Sequence, residues 1–556
     1  MIPRLLLLIA LLLTPGAAFA KGGAVSAADP RAAEAGREML RAGGSAVDAA
    51  MAMMLALTVV EPQSSGIGGG GFIVHHDAAT GTIATIDGRE TAPSSATPDR
   101  FLGPDGKPLP FIQAAPGGLS VGVPGNIRLM ARAHRRWGRL PWTRLFQPAI
   151  HLARDGYRVT PVLADRLAVM AKVDAAFPTF RAIYWDGDKP KSTGALIRNP
   201  ALASLLEKLA AQGPDAFYQG ETAAAIGRAV AEAPRNPAEI TADDLASYQA
   251  KDRPAVCGWY RLYRICGMGP PSSGATTILQ ILGLIERFPM GKLGKDDPRA
   301  WHLIGEAMML AYADRDKYLA DRDFVPVPIA GLIDPAYLAE RSRLISEKKS
   351  IGVYAAGAPP GSAPRTAVIS GEVPATTHFV AVDGDGNIAS MTSTVEGPFG
   401  SQLVAEGMIL NNELTDFSFA PERDGAPVAN RVEPGKRPLS SMSPTIVYDA
   451  GGKPILAVGS AGGRRIIMHV AKTLIGVLDW RLPAAEAIAL PNIFFAGDAL
   501  LIEEGTALEA MRPALERLGH VVTPASLGSK LNAAERTPQG WRGAADPRSE
   551  GVALAE

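Results

Sequence analysis

The sequence predicts a layered α+β sandwich, and three observations carry that expectation. Helical periodicity fills most of residues 120–350. Strand-type runs dominate after residue 375. The regular strand–helix–strand alternation of a doubly wound sheet is missing. The 556 residues suffice for one large domain or two to three ordinary ones. Hydrophobic residues make up 47% and charged residues 20%, which suits a large core. No internal repeat stands out.

The elements follow in order. Residues 1–20 read as an export signal. Arg4 supplies the positive start, residues 5–13 form an apolar run too short to span a bilayer, and Ala18-Phe19-Ala20 fits the small-x-small cleavage rule. The mature chain is expected to begin at Lys21, without a membrane span, and to reach the periplasm or the exterior. No Cys stands at the cleavage point, which argues against a lipid anchor. Asp29-Pro30 caps and starts a helix that Gly43-Gly44 ends. Ser45 caps a very apolar helix running to about Val60. Residues 62–71 form a glycine loop and residues 72–75 a strand. Apolar positions recur at helical spacing in 127–137, 201–212 and 301–318. Residues 351–375 are a loose linker rich in Gly, Pro, Ala and Ser. Strands are then expected at 379–382, 388–394, 445–448 and 455–458, and a helix at about 464–478.

The two cysteines, Cys257 and Cys266, flank Arg261-Leu262. If those two residues form a hairpin turn, Tyr260 pairs with Tyr263 and Cys257 lands opposite Cys266. Counting outward puts the pair at a non-hydrogen-bonded position, close enough for a disulfide. An exported protein permits that bond. Two buried thiols are the competing reading.

Several function classes find no support. Formal net charge is zero, so no field draws nucleic acid or an anionic membrane. The eight histidines show no metal-ligand spacing, Cys-x-x-Cys is absent, and no metal or other cofactor is expected. No G-x-S-x-G elbow marks a serine hydrolase. The run Gly66 to Gly71 satisfies G-x-G-x-x-G, but it follows a helix and precedes a strand. Tight backbone packing explains it better than a dinucleotide.

Thr376-Thr377 opens a strand directly after the linker. A hydroxyl there can attack the preceding peptide bond, and cleavage would leave a Thr whose own amine serves as general base. Thr is also common at strand starts, and the segment alone leaves both readings open. Gly459-Ser460-Ala461-Gly462-Gly463 lies between a strand and a helix, where backbone N–H groups can hold an oxyanion. It also suits an ordinary turn. Arg89, Glu413 and Asp416 can together hold an α-amino acid, the Arg on its carboxylate and the acids on its ammonium. Solvated or mutually paired surface charges are the alternative.

Further motifs join these. They are Gly43-Gly44-Ser45-Ala46-Val47-Asp48-Ala49-Ala50, Gly88-Arg89-Glu90, Pro270-Pro271-Ser272-Ser273-Gly274, Leu410-Asn411-Asn412-x-x-x-Asp416-Phe417 and Arg437-Pro438-Leu439-Ser440-Ser441-Met442-Ser443-Pro444-Thr445. In this order they resemble the gamma-glutamyltranspeptidase family of N-terminal-nucleophile hydrolases, across nearly all of the mature chain. The resemblance implies an αββα sandwich and cleavage into a large subunit, 21–375, and a small one, 376–556. It implies Thr376 as the nucleophile of both autocleavage and catalysis, with Thr394 hydrogen-bonded to it. Gly462 and Gly463 match the oxyanion loop. Arg89, Ser440 and Ser441 match the groups that hold the substrate α-carboxylate, and Glu413 and Asp416 those that hold the α-amine. Glu396 stands where many members carry Asn and some bacterial members Glu, as a third acid beside the amine. The stretch 417–438 looks short for a lid and lacks an aromatic residue beyond Phe419. The implied activity is cleavage of γ-glutamyl amides such as glutathione, with water or an amino acid or peptide as acceptor. A glutaryl- or cephalosporin-type acylase and an inactive binding paralogue are the alternatives.

Overall fold

The structure is a computed structural model that describes residues 22–173, 176–366 and 375–556. The predicted export signal, 1–20, and the linker stretch 367–374 lie outside the described residues.

Strand alternation builds the architecture. Along Thr377–Val382 every residue is buried, so both faces of the strand are covered. Phe379 and Ala381 pack with the helices Pro30–Arg41 and Ala46–Val60. Val380 and Val382 point the other way, toward Phe72, Val74, Ile446 and Ala457. Across that middle layer, Val447, Leu456 and Val458 turn outward onto the helices Gly274–Ile285, Pro298–Tyr318 and Arg465–Leu478. Two sheets thus face each other with helices on both outer sides, which is the expected αββα sandwich.

Both sheets are antiparallel. The first runs Val552–Ala555, Ala24–Ala27, Thr377–Val382, Ile388–Thr394, Gly70–Asp77, Thr82–Gly88, Lys251–Arg253. The second runs Gly540–Ala545, Asn532–Thr537, Pro454–Gly459, Thr445–Tyr448, Tyr263–Gly267, Val256–Tyr260.

Local chemistry sets the ends of the elements. The Asp29 side chain accepts from Arg31 N–H, and Ser45 and Asp48 form a capping box. All of Ala46–Val60 is buried, which is why it shows no polar stripe. The third predicted helix starts earlier than its apolar pattern, at Pro298, because Asp297 caps it. The strand expected at 72–75 extends to Gly70–Asp77, since Gly70 and Gly71 pair with Thr394 and Ser393. Arg261 and Leu262 form the hairpin turn, Tyr260 faces Tyr263, and the Sγ atoms of Cys257 and Cys266 are bonded across a Cα–Cα separation of 4.1 Å. Among the described residues, no helix is long and apolar enough to cross a membrane.

Candidate active site

Thr376 sits where the strand Thr377–Val382 begins, at the edge of the layer between the sheets. Its φ is +81°, a left-handed value that a β-branched residue rarely adopts. Thr376 N–H and Val395 N–H both donate to the Ser64 carbonyl, at 3.2 Å each. Thr376 Oγ1 lies 3.0 Å from Thr394 Oγ1. Thr394 Oγ1 accepts Glu396 N–H at 2.8 Å, which leaves its own proton available to donate to Thr376. The glycine loop brings the backbone against this pair. A Cβ on Gly69 would lie 1.9 Å from the Thr394 carbonyl oxygen, so tight packing accounts for that glycine.

A buried charge cluster adjoins the threonines. Arg89, Thr376, Thr394, Glu396, Glu413, Asp416, Ser440, Ser441 and Gly463 line one small cleft. Arg89 is bonded to Glu413 through Nη1 and to Asp416 through Nη2. It also donates to the Leu439 carbonyl at 2.9 Å and the Pro438 carbonyl at 3.2 Å. These charges are mutually paired, and they are buried rather than at the surface. Burial alone would lower the Arg89 pKa, but Glu413, Asp416 and Glu90 hold it above its ordinary value. Burial pushes the Glu413 carboxyl well up against the pull of Arg89, and Glu90 and Glu396 add to the rise. The Glu396 carboxylate accepts from Asn412 Nδ2.

Two groups here were not singled out from sequence. Glu90 is fully buried, ion-paired with Arg89 Nη1 at 4.0 Å, and burial pushes its pKa up to about 7. Its only sequence mark was adjacency to Arg89. Arg315, on the helix Pro298–Tyr318, donates from Nη2 to Ser441 Oγ at 2.7 Å and from Nε to Ser273 Oγ at 2.9 Å. Its Nη1 donates to Asp316, which Arg464 also grips with two bonds of 2.8 Å. Ser273 N–H in turn donates to the Ser440 carbonyl at 2.7 Å. The Pro-Pro-Ser-Ser-Gly motif therefore braces the serine loop.

Gly462 and Gly463 have φ of +132° and +58°, in the left-handed region that favours glycine. They lead into the helix Arg465–Leu478, and Gly463 lines the cleft. Gly462 is absent from the cleft lining and abuts His469. Beyond Asp416, the Asn430 side chain donates to the Asp416 carbonyl at 2.7 Å and accepts Leu439 N–H at 3.0 Å. Phe419 stacks on Phe101 at 4.5 Å. His378 is buried and neutral, with burial lowering its pKa to about 3 and Nδ1 bonded to Thr392 Oγ1.

The chain as a whole has counterparts among known proteins. Residues 32–556 match the family described as Gamma-glutamyltranspeptidase. The chain belongs to that family. Its relatives include a glutathione hydrolase proenzyme from Escherichia coli (strain K12), 38% identical over 545 residues, spanning 95% of this chain and 91% of that protein. They also include an Acylase ACY 1 proenzyme from Pseudomonas sp. (strain SE83), 36% identical over 544 residues and spanning 96% and 93%. The fold matches the crystal structure of a cephalosporin acylase from Bacillus halodurans with a TM-score of 0.84, at 27% identity over 96% of each chain. Gamma-glutamyltranspeptidase-family members thus appear around this chain under two kinds of name, and the buried charges bear on the choice between them.

Proposed function

We infer that this chain is an autoprocessing γ-glutamyl hydrolase and transferase of the glutathione hydrolase type. The observation that carries the reading is the buried Arg89–Glu413–Asp416 cluster in the same cleft as the Thr376–Thr394 hydroxyl pair. A guanidinium and several carboxylates suit the two charges of an α-amino acid head. A substrate ammonium can pair with the carboxyl groups of Glu396, Glu413 and Asp416, whereas a glutaryl head has no cation to offer them.

In maturation, Thr376 Oγ1 attacks the Ala375 carbonyl. The peptide bond shifts to an ester, which frees the Thr376 amine, and water then hydrolyses the ester to release the Ala375 carboxylate and restore the Thr376 hydroxyl. Cleavage also removes the left-handed φ at Thr376, a strain on the order of 1–3 kcal/mol. In catalysis, Thr376 Oγ1 attacks the γ-carbonyl and its proton passes to the Thr376 amine. Gly462 and Gly463 N–H groups hold the oxyanion, each contributing on the order of 3 kcal/mol. The amine's proton then passes to the leaving nitrogen. Water, or the amine of an amino acid or peptide, resolves the γ-glutamyl ester. Arg89 exchanges its carboxylate partners for the substrate α-carboxylate, which Ser440 and Ser441 also bind, while Glu396, Glu413 and Asp416 take the α-ammonium. Residues 1–20 direct export, and the product is a large subunit, 21–375, bound to a small one, 376–556.

The test compares the processed protein on γ-glutamyl-p-nitroanilide and glutaryl-p-nitroanilide. Preferred turnover of the γ-glutamyl compound is expected. Preference for the glutaryl compound would move the chain to the acylases, and no turnover of either would make it a binding paralogue.

A further inference from the structure

Two histidines and a glutamate meet in the core. His302 and Glu306 stand one turn apart on the helix Pro298–Tyr318, and His520 follows the helix Leu508–Arg517. All three are buried, and one potential ligand atom from each lies within 4.8 Å of the others. At 1.5 Å per residue, about 20 Å of helix separates His302 from Arg315, the residue that reaches Ser441. The cluster therefore takes no part in the proposed reaction.

The hydrogen bonds fix which atoms are available. His302 Nε2 lies 2.7 Å from the Ser346 carbonyl oxygen, which only accepts, so Nε2 carries the ring proton. The Nδ1 lone pair of His302 then faces His520 Nε2 at 2.6 Å. A backbone carbonyl that orients one ring nitrogen and leaves the other bare is the usual support of a metal-binding histidine. Glu306 provides a second, independent observation. Its carboxylate lies 3.8 Å from His520 Nε2 and accepts from Ile351 N–H and the Tyr354 hydroxyl. Among the described residues no Lys or Arg pairs with it, although it is fully buried. A buried carboxylate without a permanent cation is costly unless something else supplies the charge.

We propose that His302 Nδ1, His520 Nε2 and Glu306 bind one divalent cation of the zinc class. Two imidazoles and a carboxylate suit such an ion, and water would complete a tetrahedral shell. Without metal, His520 Nε2–H donates to His302 Nδ1. On binding, that proton moves to His520 Nδ1 and the cation takes its place. The two nitrogens open from 2.6 Å to about 3.3 Å, the separation that bonds near 2.0–2.1 Å impose. The ion would tie the helix, the segment around Ser346–Tyr354 that leads toward the linker, and His520 from beyond Thr376. If the proposed cleavage occurs, it joins the two subunits. Binding itself does not rest on that reading.

The test strips the full-length protein with a chelator and titrates it with Zn²⁺ against a chromophoric competitor. One equivalent should bind and raise the Tm, in the uncleaved Thr376→Ala chain as well as the processed one. His302→Gln and His520→Gln should each abolish both effects. No stoichiometric binding by the wild type, or binding that survives both substitutions, overturns the proposal. Should either variant fail to fold, Co²⁺ added to the wild type decides. Strong visible absorption from a tetrahedral site supports the proposal, and its absence overturns it.

Discussion

Replacing Glu90 by Gln removes a titrating carboxyl from the most crowded part of the site while keeping its shape. Burial pushes the Glu90 pKa from 4.5 to about 7, only partly offset by Arg89. In the unfolded chain the group loses its proton near its ordinary value. Between those two pH values the folded protein therefore holds one more proton than the unfolded chain, and stability falls as pH rises. The stabilisation from this group is fully present below the unfolded pKa and is lost as pH rises through about 7. At about 1.4 kcal/mol per unit, the change is on the order of 3 kcal/mol. For a chain of this size that corresponds to roughly 3 °C in Tm. The assay is calorimetric unfolding from about pH 5 to about pH 8, in a Thr376→Ala background so that the chain stays whole. The two proteins should match near the acid end, and the Gln variant should pull ahead as pH rises. Parallel Tm curves across that range would refute a buried, proton-retaining Glu90.

Thr376→Ala should leave a single uncleaved, inactive chain, whereas intact mass of the wild type should give two chains with the smaller starting at Thr376. Two bands from the alanine variant on a denaturing gel would sink the nucleophile assignment. Gly69→Ala drives a methyl into the Thr394 carbonyl, 1.9 Å away, and should block cleavage on the same gel. Arg315→Gln removes the bond to Ser441 Oγ and should raise KM for a γ-glutamyl anilide roughly tenfold, as expected for loss of a charged hydrogen bond of about 1.5 kcal/mol, with a smaller effect on kcat. Replacing Cys257 and Cys266 by Ser opens a short loop whose cysteines stand at a sequence separation of 9, and should cost about 3 kcal/mol, read as a lower Tm under non-reducing conditions.

Where short-range chemistry decides the structure, the sequence was readable. Asp29-Pro30, the Ser45 cap and the Arg261-Leu262 turn are local devices, and each formed as expected. The glycine loop was also readable, because a run of residues without Cβ atoms implies that other backbone comes close. Groups whose role depends on distant partners were hidden. Ala24–Ala27 and the strands after residue 530 are too short and mixed to announce themselves, yet they complete both sheets. Arg315 is one charge on a long helix, and only folding brings it to Ser441. Glu90 carried no sequence mark beyond its place beside Arg89, because its burial against Gly70 and Arg89 is set by folding. His302 and Glu306 carry a visible helical spacing, but His520 comes from more than two hundred positions away, so no local pattern joins them.

The order of strands in the first sheet has one more consequence. Ala24–Ala27 lies between Thr377–Val382 and Val552–Ala555, while Ile388–Thr394 pairs with Gly70–Asp77. Segments from before and after Thr376 are thus woven together within one sheet. A cut before Thr376 breaks the tether that brought those segments into register but leaves their pairing intact. The finished molecule would then be the imprint of a chain that no longer exists. Once unfolded, its two pieces would have to find each other as separate molecules, at a cost set by their concentration rather than by a linker. Its endurance would then depend on how slowly it opens, not on how well it refolds.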